Sequence, residues 1–396
     1  MRFLQLTKKF PYPPHDGESL LISNFNKILR GKIDTLDLLS FNTIKHYFDI
    51  TGYPSEDNPY DNINEVYLDN RIKPIDAFFN IFSKIPYNIS RFISKNFENK
   101  LSTVLMEKKY DFILMESVFL LPFVKVIRKY SNAKIILRSH NVEYEIWERI
   151  AKNSINIPLK LYTYYLAKRL KTYELNHIND IDILLTLTKR DLKKYTSNGY
   201  TGKSMIIPAG IITNKKPQEI ILKDDLEISF LGSLDWMPNI EGLNWFIKNV
   251  WQKIIVDLPQ SKLHIAGRNT PSTIYKIQNK NIFVHGEVPD SKMFLNSYPI
   301  MVVPLLSGGG MRLKIMEALA LGRIIITTSI GIEGIDATED QDVLIANTPE
   351  EFIAKIKFCH SNPGKLMQIS KNAINLFQNK YNLNQIVDEF LKNIND

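Results

Sequence analysis

Pro299–Gly322 reads PIMVVPLLSGGGMRLKIMEALALG, an apolar strand-like run, three glycines and then a helical pattern that opens with two cations. That order is electrostatically unfavourable for a free helix. The N-terminal end of a helix carries roughly half a positive charge, so Arg312 and Lys314 in the first turn repel it and each other unless an anion lies among them. A phosphate group satisfies the arrangement. Gly308, Gly309 and Gly310 let the backbone come close and aim N–H groups at such an anion. The plainer alternative is a flexible glycine loop before a surface helix, with Lys314 and Glu317 forming an ordinary i,i+3 pair.

Outward from this stretch, short β-branched runs alternate with amphipathic stretches: EISFLG at 227–232, KLHIAG at 262–267, NIFVHG at 281–286, RIIITTS at 323–329 and DVLIAN at 342–347. Between the first two, Leu243, Phe246, Val250 and Ile254 recur at helical spacing. This is βαβ alternation, which predicts a parallel sheet covered by helices. The first half repeats the theme at 2–7, 35–41, 111–117, 134–140, 182–188 and 205–210, interrupted by the polar stretch Gly52–Pro74, read as a long loop or insertion. The fold class expected is therefore α/β, with two Rossmann-like domains facing across a cleft and ligands at the carboxyl ends of the strands. The expected divisions are a first Rossmann-like domain at 1–211, a linker at 212–226, a second Rossmann-like domain at 227–376 and a C-terminal helix at 377–396 that packs back toward the N-terminal domain.

Length and charge narrow the function. A chain of 396 residues with 44% hydrophobic and 23% charged residues suits two globular domains. A net charge of +8 favours acidic partners, yet no Lys/Arg block is dense enough to mark nucleic acid. The single cysteine, Cys359, excludes intrachain disulfides and cysteine metal clusters. Neither a secretory apolar core nor a run long enough to span a bilayer is read from the sequence, so a cytoplasmic protein is expected.

Several motifs compete with the glycine loop. GYTGKS at 199–204 ends like a P-loop but has Ser197 where the first glycine belongs, and a helix precedes it and a strand follows, the reverse of the required order. No G-x-G-x-x-G follows the first strand; in the loop there, TKKFPYPPHDGES, Pro-rich rigidity and Gly17 either hold the loop against a ligand in the cleft or form a plain surface turn. His140, after the run at 134–140, sits at a strand's carboxyl end, where it can orient a substrate hydroxyl or relay a proton, or simply cap. No spacing of His or acidic residues suggests a metal site.

FLGSLDWMPNIEGLNWF, IAGRN, VHGEVPD and PLLSGGGMRLKIMEALALGRIIITTSIGIEG, taken in order, resemble the C-terminal half of a glycosyltransferase family 4 enzyme of the GT-B fold; RSHNVEYE and the segment ending at Glu174 resemble its N-terminal half. The resemblance implies transfer of a sugar from a UDP- or GDP-sugar with retention, without metal or other cofactor. It implies that Gly232, Ser233, Arg268, Gly308, Gly309, Gly310, Met311, Arg312 and Lys314 bind the donor diphosphate. Gly286, Val288 and Glu317 would hold the nucleoside, His140 would act beside the transferred sugar, and Gly17 would belong to the acceptor-side loop. Two positions depart from the family pattern: Gly309 replaces a glutamate, and Glu18 follows Gly17 where a second glycine is usual. The expected partners are the donor and a glycan or lipid-linked acceptor in polysaccharide synthesis, at the inner membrane face, to which the basic aromatic segment Leu159–Tyr173 points. A nucleotide-sugar 2-epimerase and a non-catalytic nucleotide-sugar-binding subunit are the alternatives.

Overall fold

The computed structural model describes residues 1–14, 16–154, 156–212, 220, 225–308 and 311–395. Gly309, Gly310 and most of the expected linker lie outside the described residues. The chain divides into two compact units, Met1–Pro208 with Ile386–Asp396, and Ala209–Gln385. Among the described residues no helix is long and apolar enough to cross a membrane.

The first unit is a seven-stranded sheet built from β1 (Arg2–Thr7), β2 (Thr35–Thr43), β3 (Asn62–Leu68), β4 (Phe112–Met115), β5 (Lys134–Ser139), β6 (Ile183–Thr186) and β7 (Lys203–Ile206), in the order β3-β2-β1-β4-β5-β6-β7. Neighbouring strands pair in parallel. Helices on the sheet bury nearly every central strand residue, which is why these runs read as continuous apolar stretches. Phe41, Phe97 and Phe123 form the heart of one core, with ring centroids 4.1 Å and 4.6 Å apart along the chain of contacts.

β3 corrects the reading of Gly52–Pro74 as a loop. NINEVYL pairs with β2 through Leu38 and Ile63 and through Phe41 and Val66. At a sheet edge only alternate residues need be apolar, and Tyr67 stays 57% exposed, so the Asn- and Glu-rich composition hid the strand. The P-loop-like string behaves as its order predicts. A helix, Lys189–Thr196, precedes it, and Lys203 and Ser204 pair with Ile183 and Leu184 inside the sheet. The final helix, Leu383–Asn395, returns to this unit, where Phe390 meets Phe25 at 5.4 Å and Phe3 at 6.3 Å.

The second unit is a six-stranded parallel sheet of β8 (Glu227–Leu231), β9 (Lys262–Ala266), β10 (Ile282–Gly286), β11 (Ile300–Val303), β12 (Ile324–Thr327) and β13 (Leu344–Ile345), ordered β10-β9-β8-β11-β12-β13. The helical stretch between β8 and β9 starts at Met237, passes through a π-turn at Ile247–Trp251 and ends at Asp257, burying Leu243, Phe246, Val250 and Ile254 as their spacing requires. The order reverses between β8 and β11, so the loops after these two strands diverge at the carboxyl edge and leave a crevice of the kind that binds ligands.

Candidate functional site

The loops after β8, β9 and β11 and the helix Leu313–Ala320 build the second unit's site. Gly232 directly follows β8 and donates its N–H to Ala266 O at 3.1 Å. A Cβ on Gly267 would fall 1.9 Å from Gly232 O, so the two loops touch backbone to backbone and only glycine fits there. Leu234 N–H donates to Arg268 O at 2.8 Å, locking the loops together, while the Arg268 side chain stays exposed. Ser233 turns its hydroxyl to Asp235 at 2.5 Å.

Lys314 reaches back to this corner. Its Nζ donates to Leu231 O at 2.8 Å and to Asn239 Oδ1 at 3.0 Å, and lies 5.0 Å from the Phe230 ring centroid. Asn239 is itself oriented by donating Nδ2 to Ser233 O at 2.8 Å. Glu317 does not pair with Lys314; it accepts from Ser291 Oγ at 3.2 Å instead, so the surface-pair reading of this helix fails. Burial, reinforced by Arg312 nearby, lowers the Lys314 pKa to about 7. Burial likewise raises the Glu317 carboxyl above its ordinary range, although Lys292 opposes the shift.

Arg312 is only 6% exposed and its guanidinium lies 5.5 Å from the Trp236 ring centroid. Gly308 has φ +101°, and a Cβ there would stand 3.1 Å from Trp236 and 3.3 Å from Arg312 Nη2. The backbone at Arg312 departs from the sequence expectation. Arg312 is not in the first helical turn: it holds the N-cap position with extended backbone (φ −96°, ψ 98°), and the helix starts at Leu313. Only Lys314 lies inside the first turn. The cap makes no side-chain hydrogen bond to the helix amides, which is the condition under which an external acceptor is favoured.

Gly232, Lys314, Gly308 and Arg312 are therefore brought to one corner, joined by Trp236 and Asn239, which sequence reasoning did not single out although both stand in the quoted string DWMPN. Glu317, with Ser291, forms a separate contact. Val288 and Met311 pack at the edge of the apolar cluster containing Ile315 and Met316, and Gly286 turns at φ +69° as the last residue of β10.

In the first unit, the carboxyl ends of β1, β4 and β5 gather charged groups. The register Leu6–Met115 and Met115–Leu137 places Glu116 beside Arg138. Glu116 is fully buried and accepts two bonds from Arg138, at 2.7 Å each, and one from His140 Nε2 at 2.9 Å. Burial alone would raise its pKa, but Arg138 and His140 outweigh it and hold the carboxylate ionised below its usual range. A carboxylate on Nε2 makes that nitrogen the donor, which leaves His140 Nδ1 as an acceptor when the ring is neutral. Nδ1 is buried with no hydrogen-bond partner among the described residues, as is Glu18 Oε1. Lys8 pairs with Glu18 at 3.2 Å, and burial with the Glu18 charge raises the Glu143 carboxyl. Gly17 begins the helix Gly17–Arg30 behind the Asp16 cap, and a Cβ there meets open space, so nothing in its surroundings demands glycine.

Residues 225–362 match the model of the family described as Glycosyl transferases group 1. An uncharacterized 44.6 kDa protein in the cps region of Klebsiella pneumoniae is 24% identical over 393 residues, covering 96% of this chain and 97% of the relative. Among solved structures, Anabaena HepE in complex with UDP aligns with a TM-score of 0.72 at 10% identity, covering 100% of both chains. Sucrose-phosphate synthase from Thermosynechococcus elongatus aligns at 0.69 and 14% identity, over 100% of this chain and 98% of that one. A variant of S. aureus TarM in complex with fondaparinux, alpha-GlcNAc-glycerol and UDP aligns at 0.65 and 12% identity, over 100% of both. These likenesses carry the fold, that of GT-B proteins with two Rossmann-like units.

Proposed function

We propose that this chain, a glycosyltransferase by its domain at residues 225–362, takes a UDP-sugar and passes the sugar, with retention at the anomeric carbon, to a glycan or lipid-linked acceptor in surface polysaccharide assembly. The observation that carries the reading is Lys314, a partly buried amine bonded to Leu231 O and Asn239 beside Arg312 at the mouth of a helix. Such a group has been desolvated in advance and regains its full charge when a diphosphate enters. UDP is favoured over GDP because HepE and TarM were each solved with UDP, and the cps-region relative points toward capsule-type polysaccharide.

In this reading negative charge grows on the β-phosphate as the sugar–oxygen bond breaks. Lys314 and Arg312 are fixed where that charge appears, which lowers the barrier without reorganisation. These cations supply what a divalent metal would otherwise bring. Gly232 and Ser233 border the diphosphate, with Arg268 at the rim, and Gly286 and Val288 face the nucleoside. His140, its Nε2 held by Glu116, presents Nδ1 to a hydroxyl of sugar or acceptor. The protein works at the inner face of a membrane.

Glu317 takes the ribose hydroxyls. Glu317→Ala is expected to weaken UDP binding about tenfold, equivalent to ~1.4 kcal/mol, with turnover at saturating donor little changed. Unchanged affinity in calorimetry would remove Glu317 from the site. The reading as a whole is tested by incubating the protein with UDP- and GDP-sugars. Release of UDP with sugar transfer or hydrolysis supports it, an α-linked product from an α-linked donor supports retention, and epimerised sugar or binding without turnover overturns it.

A further inference from the structure

The first unit carries an apolar surface that its own fold leaves uncovered. The short helix Pro74–Phe79 and the turn after it rest on the start of the long helix Ile157–His177. Ala77 and Leu166 share one buried cluster, and Tyr165 and Arg169 fasten the segment by donating to Ile81 O and Asn80 O, each at 3.0 Å. Yet Phe78, Phe79 and Phe82 are 60%, 66% and 82% exposed, and Leu159, Leu161 and Tyr164 are at least half exposed on the adjoining helix. The long helix buries Thr163, Leu166, Ala167 and Leu170 on its inward face, so its first half is apolar on both sides. A helix apolar all round is ordinarily covered, and a clustered aromatic surface marks an interaction site.

Charge decides what covers it. Residues 69–91 and 157–173 hold eight Lys/Arg against two Asp, most of the chain's net charge of +8. Lys84, Lys160 and Lys168 are exposed and make no ion pair among the described residues. A face with this excess repels a second copy of itself and attracts an anionic surface. Aromatic and aliphatic side chains flanked by lysines match the headgroup–acyl boundary of a bilayer, where the rings enter and the ammonium groups meet lipid phosphates.

We infer that the Pro74–Phe82 segment and the first half of the Ile157–His177 helix dock this protein on an anionic lipid bilayer, Phe78, Phe79 and Phe82 inserting and Lys84, Lys160 and Lys168 binding headgroups. This rests on the lipid-linked acceptor of the proposed function and names the surface that meets it. Two signals are present, apolar insertion and a basic patch, the combination that stable but reversible docking requires.

The full chain is to be sedimented with phosphatidylcholine vesicles with and without about one third phosphatidylglycerol. Binding is expected with the anionic vesicles only, and to fall as salt screens the lysines. A Phe78→Ser/Phe79→Ser/Phe82→Ser variant and a Lys84→Glu/Lys160→Glu/Lys168→Glu variant are each expected to lose at least about tenfold in partitioning. Both should keep the wild-type melting temperature and UDP affinity, because none of these side chains is buried. Equal binding to both vesicle types, no binding to either, or variants that bind like wild type would overturn the inference. So would a wild-type dimer that the phenylalanine substitutions render monomeric. UDP binding measured without vesicles reports separately on the donor site, so either reading can fail alone.

Discussion

Lys314→Ala is expected to lower turnover by on the order of 10²- to 10³-fold with the fold intact, because in the proposed function it removes one preorganised donor to the leaving diphosphate. Arg312→Ala should follow the same course, and near-normal turnover in both variants would remove this corner from catalysis. The lysine also makes a prediction that a merely structural role would not. Burial, with Arg312 adding to it, brings its pKa to about 7, and in the proposed function the charge of a bound diphosphate raises it again. Above pH ~7 each UDP bound must therefore take up about one proton, and affinity should fall about tenfold per pH unit. Calorimetry in two buffers of different ionisation enthalpy measures this directly. Equal apparent enthalpies at about pH 8 would show that Lys314 does not recharge. Lys314→Arg keeps its charge throughout and should flatten the pH dependence even where affinity is lower.

Glu174→Gln is expected to produce the largest stability effect. Glu174 is wholly buried, its carboxyl meets the Tyr195 hydroxyl, and Tyr195 bonds Ser139 at 2.8 Å just before His140. Burial, with the Glu143 charge adding to it, raises its pKa to about 8. The folded chain thus holds this carboxyl protonated where the unfolded chain ionises it. Its contribution is complete below the unfolded pKa of 4.5 and is lost as pH rises toward 8. Over that window the linkage amounts to on the order of 4 kcal/mol. A neutral amide has no such loss, so Glu174→Gln should gain on wild type steadily from about pH 5 to about pH 8. Thermal unfolding of the two proteins that stays parallel across that range would contradict a neutral Glu174. Because Tyr195 positions Ser139 next to His140, the glutamine variant keeps that contact and should retain activity.

Much of the fold was legible because parallel strands buried on both faces leave continuous apolar runs, and β8 to β12 all fall within the runs read from the sequence. β3 was not, because an edge strand needs only half its residues to be apolar. In the site, Gly308, Arg312 and Lys314 were legible because glycines and cations before a helix form a local signature. Asn239 was not: its bond to Lys314 spans 75 positions, and nothing near residue 239 announces it. Glu116 was hidden in the same way, appearing in sequence only as a charge interrupting a greasy run, while the sheet register sets it against Arg138 and His140.

The sequence by itself determined the alternation of strands and helices, the glycine-opened helix and the excess of positive charge, since these follow from residue period and composition. Only the tertiary structure decided that Arg312 caps the helix rather than entering it, that Lys314 approaches neutrality, and that Glu174 is held protonated. It also decided that Phe78, Phe79 and Phe82, apolar enough to read as core, face outward. The reason is the same in each case. Residue type fixes what a side chain prefers, while solvation and neighbouring charge, supplied by segments distant along the chain, fix the state in which it is held.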